Sequence, residues 1–279
     1  MANSLPMARR HWTLAALLTL ALAGCGQAAP ELPLFRALAE PRPAPVVTTT
    51  TTTPPQVAAE TVSRGPDLWP VVDPNVQLGA PPYHIAQVDV PKIGVYDSPT
   101  APAPRMSMGQ KTEHGLPRVF LVASPTQDGD RWRVLLPVRP NEAVGWVRAA
   151  DVSIQEVNYW IRVSTSAHTM TVGNGNQLVL QEPVAVGTGG TPTPTGTFYL
   201  YEVVRPIWQP YLGPYAYTTS AHSDVLYSFM GGDGTVGVHG TDSPGSIGRA
   251  VSHGCIRMSN SGITQLVGQV PLGTPLFIT

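Results

Sequence analysis

Between about residues 85 and 153, short runs of alternating apolar and polar residues follow one another along the chain. Two of these runs are Arg118–Val122 (RVFLV) and Trp132–Leu136 (WRVLL), and the polar turn segments Gln127–Asp130 and Pro140-Asn141 lie beside them. A period of two is typical of half-buried strands. We therefore predict a small β-barrel of about five strands over residues 85–153. We predict that Trp132 and Trp146 belong to its core, because aromatic side chains bury much area.

A second β-rich unit is predicted over residues 157–279. Its hairpin signal is Val172–Gln177 (VGNGNQ), in which Asn-Gly suits a tight turn. The Gly- and Pro-rich loop Gly187–Gly196 separates two further strand-like runs. One short helix is predicted over Gly262–Val270, with Ser259 or Asn260 as its cap and Pro271 as its end.

The segment Arg205–Met230 contains many aromatic and proline residues and has no clear period. We predict an irregular loop of unusual length here. Loops this long inside a compact domain often serve as active-site lids. A lid is therefore our hypothesis for this segment.

The first residues carry a targeting pattern. Arg9 and Arg10 precede an apolar run, Trp12–Ala23, which is short for a membrane-spanning helix and ends at Gly24-Cys25. Residues 1–24 are predicted to be a signal peptide, and the end of the run resembles the lipobox of bacterial lipoproteins, with Cys25 as the lipidated residue. A plain secretory signal is the alternative. Either signal predicts an extracytoplasmic protein, and lipidation of Cys25 would anchor it to the cell membrane.

Residues 25–84 are rich in Pro, Thr and Ala, and we predict a disordered linker there. The whole sequence has 17 Lys and Arg against 18 Asp and Glu, a net charge of −1, and no basic cluster that would indicate nucleic-acid binding. Only two cysteines are present. If Cys25 is removed or lipidated, Cys255 has no partner within the chain for a disulfide.

Cys255 lies in the segment SHGCIRM, and two histidines precede it. His253 is two residues before it, and His239, in VHGT, lies sixteen residues upstream. A thiol becomes a useful nucleophile when a histidine takes its proton. Gly254 permits close backbone approach, and the amides of Gly254 and Cys255 suit an oxyanion hole. A zinc site built from His239, His253 and Cys255 is the competing interpretation, although no fourth ligand is evident.

The segment VHGTDSPGSIGRAVSHGCIRMSN, together with the loop PTPTGTF, resembles the signature of the L,D-transpeptidase catalytic domain, also called the YkuD domain. The resemblance covers about residues 158–279. It implies a mainly β fold, a YkuD-type β-sandwich with one short helix. It also implies that Cys255 is the nucleophile, that His239 is the proton donor and acceptor, and that the Gly240 carbonyl orients His239 where Asp242 would otherwise be the candidate. Gly254 would supply an oxyanion amide.

The same resemblance places Ser252, His253 and Arg257 in the substrate pocket. Arg257 replaces the asparagine that many members carry two residues after the cysteine, and it could bind a substrate carboxylate or form a salt bridge within the fold. No metal or other cofactor is expected. The barrel segments VDVPKIGVYDSP and LPVRPNEAVGWVRAADV are similar to the SH3-like module found beside certain bacterial wall enzymes.

The implied reaction is acyl transfer in cell-wall biogenesis, with consequences for cell shape. Cys255 would form a thioester with a peptidoglycan stem peptide, and a second stem would accept the acyl group in a 3→3 cross-link. Carbapenem-type β-lactams are the implied covalent inhibitors. The alternatives are an L,D-carboxypeptidase and a non-catalytic wall-binding lipoprotein. A wall peptidase of the NlpC/P60 type places its cysteine before its histidine, the reverse of the order here.

Overall fold

The computed structural model describes residues 69–70, 78–124, 126–229 and 231–279. The predicted signal peptide, Cys25 and most of the predicted linker lie outside the described residues. Within the described part, no helix is both long and apolar enough to cross a membrane.

The N-terminal unit contains seven strands, two more than the approximate number predicted. They are β1 (Tyr83–Val88), β2 (Lys92–Val95), β3 (Met106–Gly109), β4 (Val119–Leu121), β5 (Arg131–Leu135), β6 (Val144–Arg148) and β7 (Val152–Val157). Strand β1 pairs with both β4 and β7. Single bridges then join β4 to β5 through Val122 and Val134, and β2 to β6 through Tyr96 and Trp146. The strands therefore form one connected array in the order β7-β1-β4-β5-β6-β2-β3.

The second unit contains ten strands. They are β8 (Tyr159–Ser164), β9 (Thr169–Asn174), β10 (Gln177–Pro183), β11 (Val186–Gly187), β12 (Gly196–Val204), β13 (Ala216–His222), β14 (Thr235–His239), β15 (Ala250–Ser252), β16 (Ile256–Arg257) and β17 (Pro275–Ile278). Eight of them form a sheet in the order β10-β9-β8-β17-β12-β13-β14-β16. Strands β11 and β15 form a parallel pair beside it. The predicted mainly β fold is confirmed.

The hairpin predicted at Val172–Gln177 is present. Strands β9 and β10 pair through Asn174 and Gln177, which leaves a loop of two residues between them. Its first residue, Gly175, has a φ of 56°, a left-handed conformation that glycine adopts without the usual steric cost.

The predicted helix is confirmed as α1 (Asn260–Gln269), the one α-helix of the described residues. Ser259 is its N-cap, because its side chain accepts a hydrogen bond from the backbone N–H of Gly262. Ile263, Leu266 and Val267 form the buried face. The helix begins two residues before the prediction, and Pro271 follows its end.

Two apolar clusters form the core. The smaller one lies within the N-terminal unit and includes Ile93 and Phe120, with Trp132 packed against it. The larger one is shared, because side chains of the N-terminal unit such as Ile85 and Leu121 pack with side chains of the second unit. Trp146 is buried and donates from Nε1 to Asp128 Oδ2 at 2.7 Å. Trp146 is therefore buried as predicted, whereas Trp132 is only partly buried at the edge of the smaller cluster.

The prediction of one irregular loop over Arg205–Met230 is wrong in part. Strand β13 runs through its middle and is buried on both faces. Its residues are mostly small and polar, so no apolar alternation reveals it. Hydroxyl groups satisfy the polar backbone here: Thr219 Oγ1 donates to the Val236 carbonyl, and Ser220 Oγ accepts from the Tyr199 amide.

Candidate active site

Parallel strands β14 and β16 bring the predicted nucleophile and base together. Val238 pairs with Ile256, and His239 pairs with Arg257. Cys255, which directly precedes β16, thus lies beside Gly237. The Gly237 amide donates to Cys255 Sγ at 3.4 Å. A methyl group placed on Gly237 would lie 3.8 Å from His239 Cδ2 and 3.9 Å from Cys255 Sγ, so both side chains approach the same small space.

The imidazole of His239 is held by its own backbone neighbour. Its Nδ1 lies 2.5 Å from the Gly240 carbonyl oxygen, which can only accept, so Nδ1 carries the proton. Nε2 is then left as the proton acceptor. Asp242 is exposed and accepts from Ser243 Oγ, so the backbone rather than a carboxylate orients the ring. Burial lowers the pKa of His239 to about 4. The hydrogen bond to the Gly240 carbonyl opposes this shift, and the positive charge of Arg257 adds a smaller lowering effect.

Burial also acts on the thiol. It raises the pKa of Cys255 above its usual value, although the Gly237 amide and the Arg257 charge oppose the shift. At neutral pH the pair is therefore a protonated thiol beside a neutral imidazole. This arrangement suits proton transfer from sulfur to His239 during attack on a carbonyl.

Ser252 stabilises the turn before Cys255. Its buried hydroxyl donates to the Cys255 carbonyl at 2.6 Å and accepts from the Gly254 amide at 3.1 Å. Two expectations therefore need correction. Ser252 braces the turn rather than facing a substrate, and the Gly254 amide is already engaged. The Cys255 amide donates to no residue of the described chain, so it is the better candidate for an oxyanion donor.

The loop between β11 and β12 supplies a second brace that sequence reasoning missed. Thr193 is buried, and its Oγ1 donates to the Gly254 carbonyl at 2.8 Å while accepting from the Gly187 amide at 2.8 Å. Thr191 Oγ1 donates to the Ser252 carbonyl at 3.2 Å. The signal available in the sequence was the loop PTPTGTF, which contains Thr193 and directly follows Thr191. Gly254 has a φ of 120°, a conformation that these contacts help to hold.

Comparisons with known proteins bear on this site. The family model of the L,D-transpeptidase catalytic domain, YkuD, matches residues 158–278. The chain is 38% identical over 122 residues to the protein named YkuD of Bacillus subtilis (strain 168), a match that covers 44% of this chain and 66% of that protein. It is 39% identical over 124 residues to YkuD of Bacillus licheniformis, covering 44% of this chain and 67% of that protein. The chain belongs to the L,D-transpeptidase family.

The matched residues span about two thirds of the length of these two relatives. Among solved structures, L,D-transpeptidase 3 from Mycobacterium tuberculosis in complex with a faropenem-derived adduct is 18% identical, with a TM-score of 0.38. That comparison covers 51% of this chain and 75% of the other.

In this member of the family, two of the predicted pocket residues have accessible side chains near the thiol. His253 is exposed, and its ring stacks on Phe229 with 5.1 Å between centroids. Arg257 is partly exposed and forms no ion pair with any described residue. Of the two roles considered for Arg257, the salt bridge within the fold is thus not found among the described residues.

The other histidines of the described part lie outside the site. His84 and His114 face Glu156 and Glu202, and His168 Nδ1 lies 2.9 Å from the Gly248 carbonyl. His222 is buried at the end of β13, with Nε2 at 3.2 Å from Asp233 Oδ2. No group of three or more His, Cys, Asp or Glu side chains that could hold a metal ion occurs among the described residues.

Proposed function

We propose that the protein is a peptidoglycan L,D-transpeptidase that forms 3→3 cross-links through a thioester on Cys255. The observation that carries the proposal is the meeting of Cys255 and His239 beside Gly237, with the His239 Nδ1 proton fixed on the Gly240 carbonyl. That geometry leaves Nε2 free to receive the thiol proton. Family membership supports the substrate class.

In the first half-reaction, Cys255 Sγ attacks the carbonyl carbon of the third residue of a tetrapeptide stem as its proton passes to His239. The Cys255 amide stabilises the oxyanion. The bond to the terminal D-alanine then breaks, and His239 returns the proton to the departing amine. The products are a thioester and free D-alanine.

In the second half-reaction, the side-chain amine of the third residue of another stem attacks the thioester. His239 removes a proton from this amine, the C–S bond breaks, and the thiol is regenerated with one new amide bond. Arg257 is proposed to bind a stem carboxylate through paired hydrogen bonds. We also propose that carbapenem-type β-lactams acylate the same thiol by opening of the lactam ring.

We further propose that the chain is anchored to the cell membrane through lipidated Cys25 and faces the wall, and that the seven-stranded unit is an SH3-like module. The segment that covers the thiol is proposed to be the connection between β13 and β14. These proposals rest on the targeting pattern, on the sequence resemblance and on the contact of Phe229 with His253.

The first test mixes the purified protein with tetrapeptide muropeptides and follows the products by mass spectrometry, beside Cys255→Ala. We expect loss of D-alanine and a cross-linked dimer with the wild type alone. Loss of D-alanine without a dimer would assign an L,D-carboxypeptidase. Equal cross-linking by Cys255→Ala would refute the proposed function, and no reaction with either protein would favour a wall-binding role.

A further inference from the structure

The N-terminal unit contacts the connection between β13 and β14, which we call the cover loop (residues 223–234, of which the structure describes 223–229 and 231–234). Arg139, in the turn between β5 and β6, donates to three carbonyl oxygens of this loop. Nη1 bonds to Ser223 at 2.8 Å, and Nη2 bonds to Leu226 at 3.1 Å and to Asp233 at 2.9 Å. The guanidinium also lies 4.5 Å from the centre of the Tyr227 ring.

A second residue of the same turn fixes the start of the cover loop. The Asn141 amide donates to the His222 carbonyl at 2.8 Å and accepts from the His222 amide at 2.8 Å, and it also reaches Asp224 Oδ1 at 3.1 Å. The Asn141 side chain thus pairs with the backbone of His222, the last residue of β13, as a neighbouring strand would. Both the start and the end of the cover loop, at residues 223 and 233, are held from outside the catalytic domain.

The tip of the cover loop contacts the turn that precedes Cys255. Phe229 stacks on His253, two residues before Cys255, with an angle of 30° between the rings. The described apolar side chains of the loop are only partly buried: Val225 is 48% exposed, Tyr227 51% and Phe229 38%, and Leu226 is half-buried. Burial of apolar area alone therefore does not account for the position of the loop. Hydrogen bonds from a charged group are stronger than those between neutral groups, so the three bonds from Arg139 are expected to contribute most to holding the cover loop in place.

We propose that Arg139 is a positioning residue that fixes the cover loop over Cys255, so that the N-terminal unit controls how far water reaches the thioester. The inference rests on the proposed function. Water and the acceptor amine compete for one carbonyl: attack by water breaks the C–S bond and yields a free carboxylate, whereas attack by the amine yields the cross-link. A loop held closed excludes water without blocking an acceptor that binds beside it.

The test compares the full-length wild type with Arg139→Gln, Arg139→Lys and Arg118→Gln. Arg118 is the matched control because its guanidinium also donates to carbonyls, those of Gly109 and Lys111, but within its own unit. The first readout is the rate at which iodoacetamide alkylates Cys255, followed by mass spectrometry of the peptide that contains it. The second is the ratio of cross-linked dimer to hydrolysed stem.

We expect Arg139→Gln to alkylate about tenfold faster than the wild type, because loss of these bonds lets the loop open locally. Its ratio of dimer to hydrolysed stem should fall. Arg139→Lys should lie between the two, and Arg118→Gln should match the wild type. Phe229→Ala, which leaves the contact between the units intact, should also alkylate faster.

A folded Arg139→Gln protein with the wild-type alkylation rate would overturn the proposal. So would wild-type alkylation in Phe229→Ala, since the loop would then not cover the thiol. If the wild type released no D-alanine, the proposed function would fail, but the alkylation rates would still decide the role of Arg139.

Discussion

At the scale of single residues, Cys255 and His239 differ from a preformed thiolate–imidazolium pair. Burial raises the pKa of the thiol and lowers that of the imidazole to about 4. Both groups are therefore neutral near pH 7. The thiol must then lose its proton to Nε2 as the carbonyl is attacked, which makes the fixed orientation of the His239 ring the main requirement. Only the neutral form of His239 can accept that proton.

The low pKa of His239 predicts that acylation stays fast to an unusually low pH. The rate at which a carbapenem acylates Cys255, measured by the mass increase of the protein, should stay nearly constant from pH 7 down to about pH 5 and fall near pH 4. A fall centred at 6.5, the ordinary pKa of histidine, would contradict the prediction. His239→Gln should be slow throughout and lack the acid limit.

The lowered pKa of His239 also affects the stability of the folded protein, so the acylation rates measured at low pH need a folding control. The unfolded chain binds a proton at His239 near pH 6.5, whereas the folded chain binds it only near pH 4. Stability conferred by the neutral ring is thus lost as the pH falls through this window, by about 3 kcal/mol at pH 4. Circular dichroism at each pH separates unfolding from loss of the base.

At the scale of elements, the loop between β11 and β12 fixes the turn that carries the thiol. Replacement of Thr193 by valine keeps its shape but leaves the Gly187 amide and the Gly254 carbonyl without this partner. We expect Thr193→Val to lower the free energy of unfolding by about 2 to 4 kcal/mol and to slow acylation strongly. Thr195→Val, at an exposed position of the same loop, is the control and should leave both unchanged. Urea unfolding measures the free energy of unfolding of each variant. Equal stability of Thr193→Val and Thr195→Val would show that the Thr193 hydrogen bonds do not stabilise the turn.

The elements that sequence analysis predicted well are those with local signals. Helix α1 has a capping serine, a buried face at helical spacing and a following proline. The β9–β10 hairpin has the sequence Asn-Gly-Asn, of which Gly175 and Asn176 form the two-residue loop. Strand β13 lacked such a signal because it is buried on both faces and consists mostly of small and polar residues, whose hydroxyl groups bond to the backbone of the neighbouring strands. The roles of Ser252 and Thr193 in the turn depend on contacts between distant segments, and no period or spacing reveals those. The motif indicated Cys255 and His239, but not the hydrogen bond that already occupies the Gly254 amide.

At the scale of the whole molecule, the two units share the larger of the two apolar clusters. Ile85 of β1 packs into the larger apolar cluster, together with residues of β12 and α1. A methyl group added to Gly273, just before β17, would lie 2.4 Å from Ile85 Cγ2, so the two units are in close contact there. Together with Arg139 and Asn141, this packing couples the N-terminal unit to the sheet that carries the active site.

The shared core predicts that both units unfold in one transition. Calorimetry of the wild type should show a single heat-absorption peak, because loss of either unit exposes the apolar surface of the other. Ile85→Ala should lower the free energy of unfolding by about 2 to 5 kcal/mol while keeping one peak.

Ile93→Ala is the sharper variant, since Ile93 is fully buried in the cluster that belongs to the N-terminal unit alone. If the units are coupled, Ile93→Ala must speed hydrogen exchange in β12 as well as in β1. Faster exchange confined to the N-terminal unit, or two resolved peaks, would mean that the catalytic domain folds independently of the N-terminal unit. In that case the cover loop would keep its flanking strand pairs but lose the hydrogen bonds from Arg139 when the N-terminal unit unfolds.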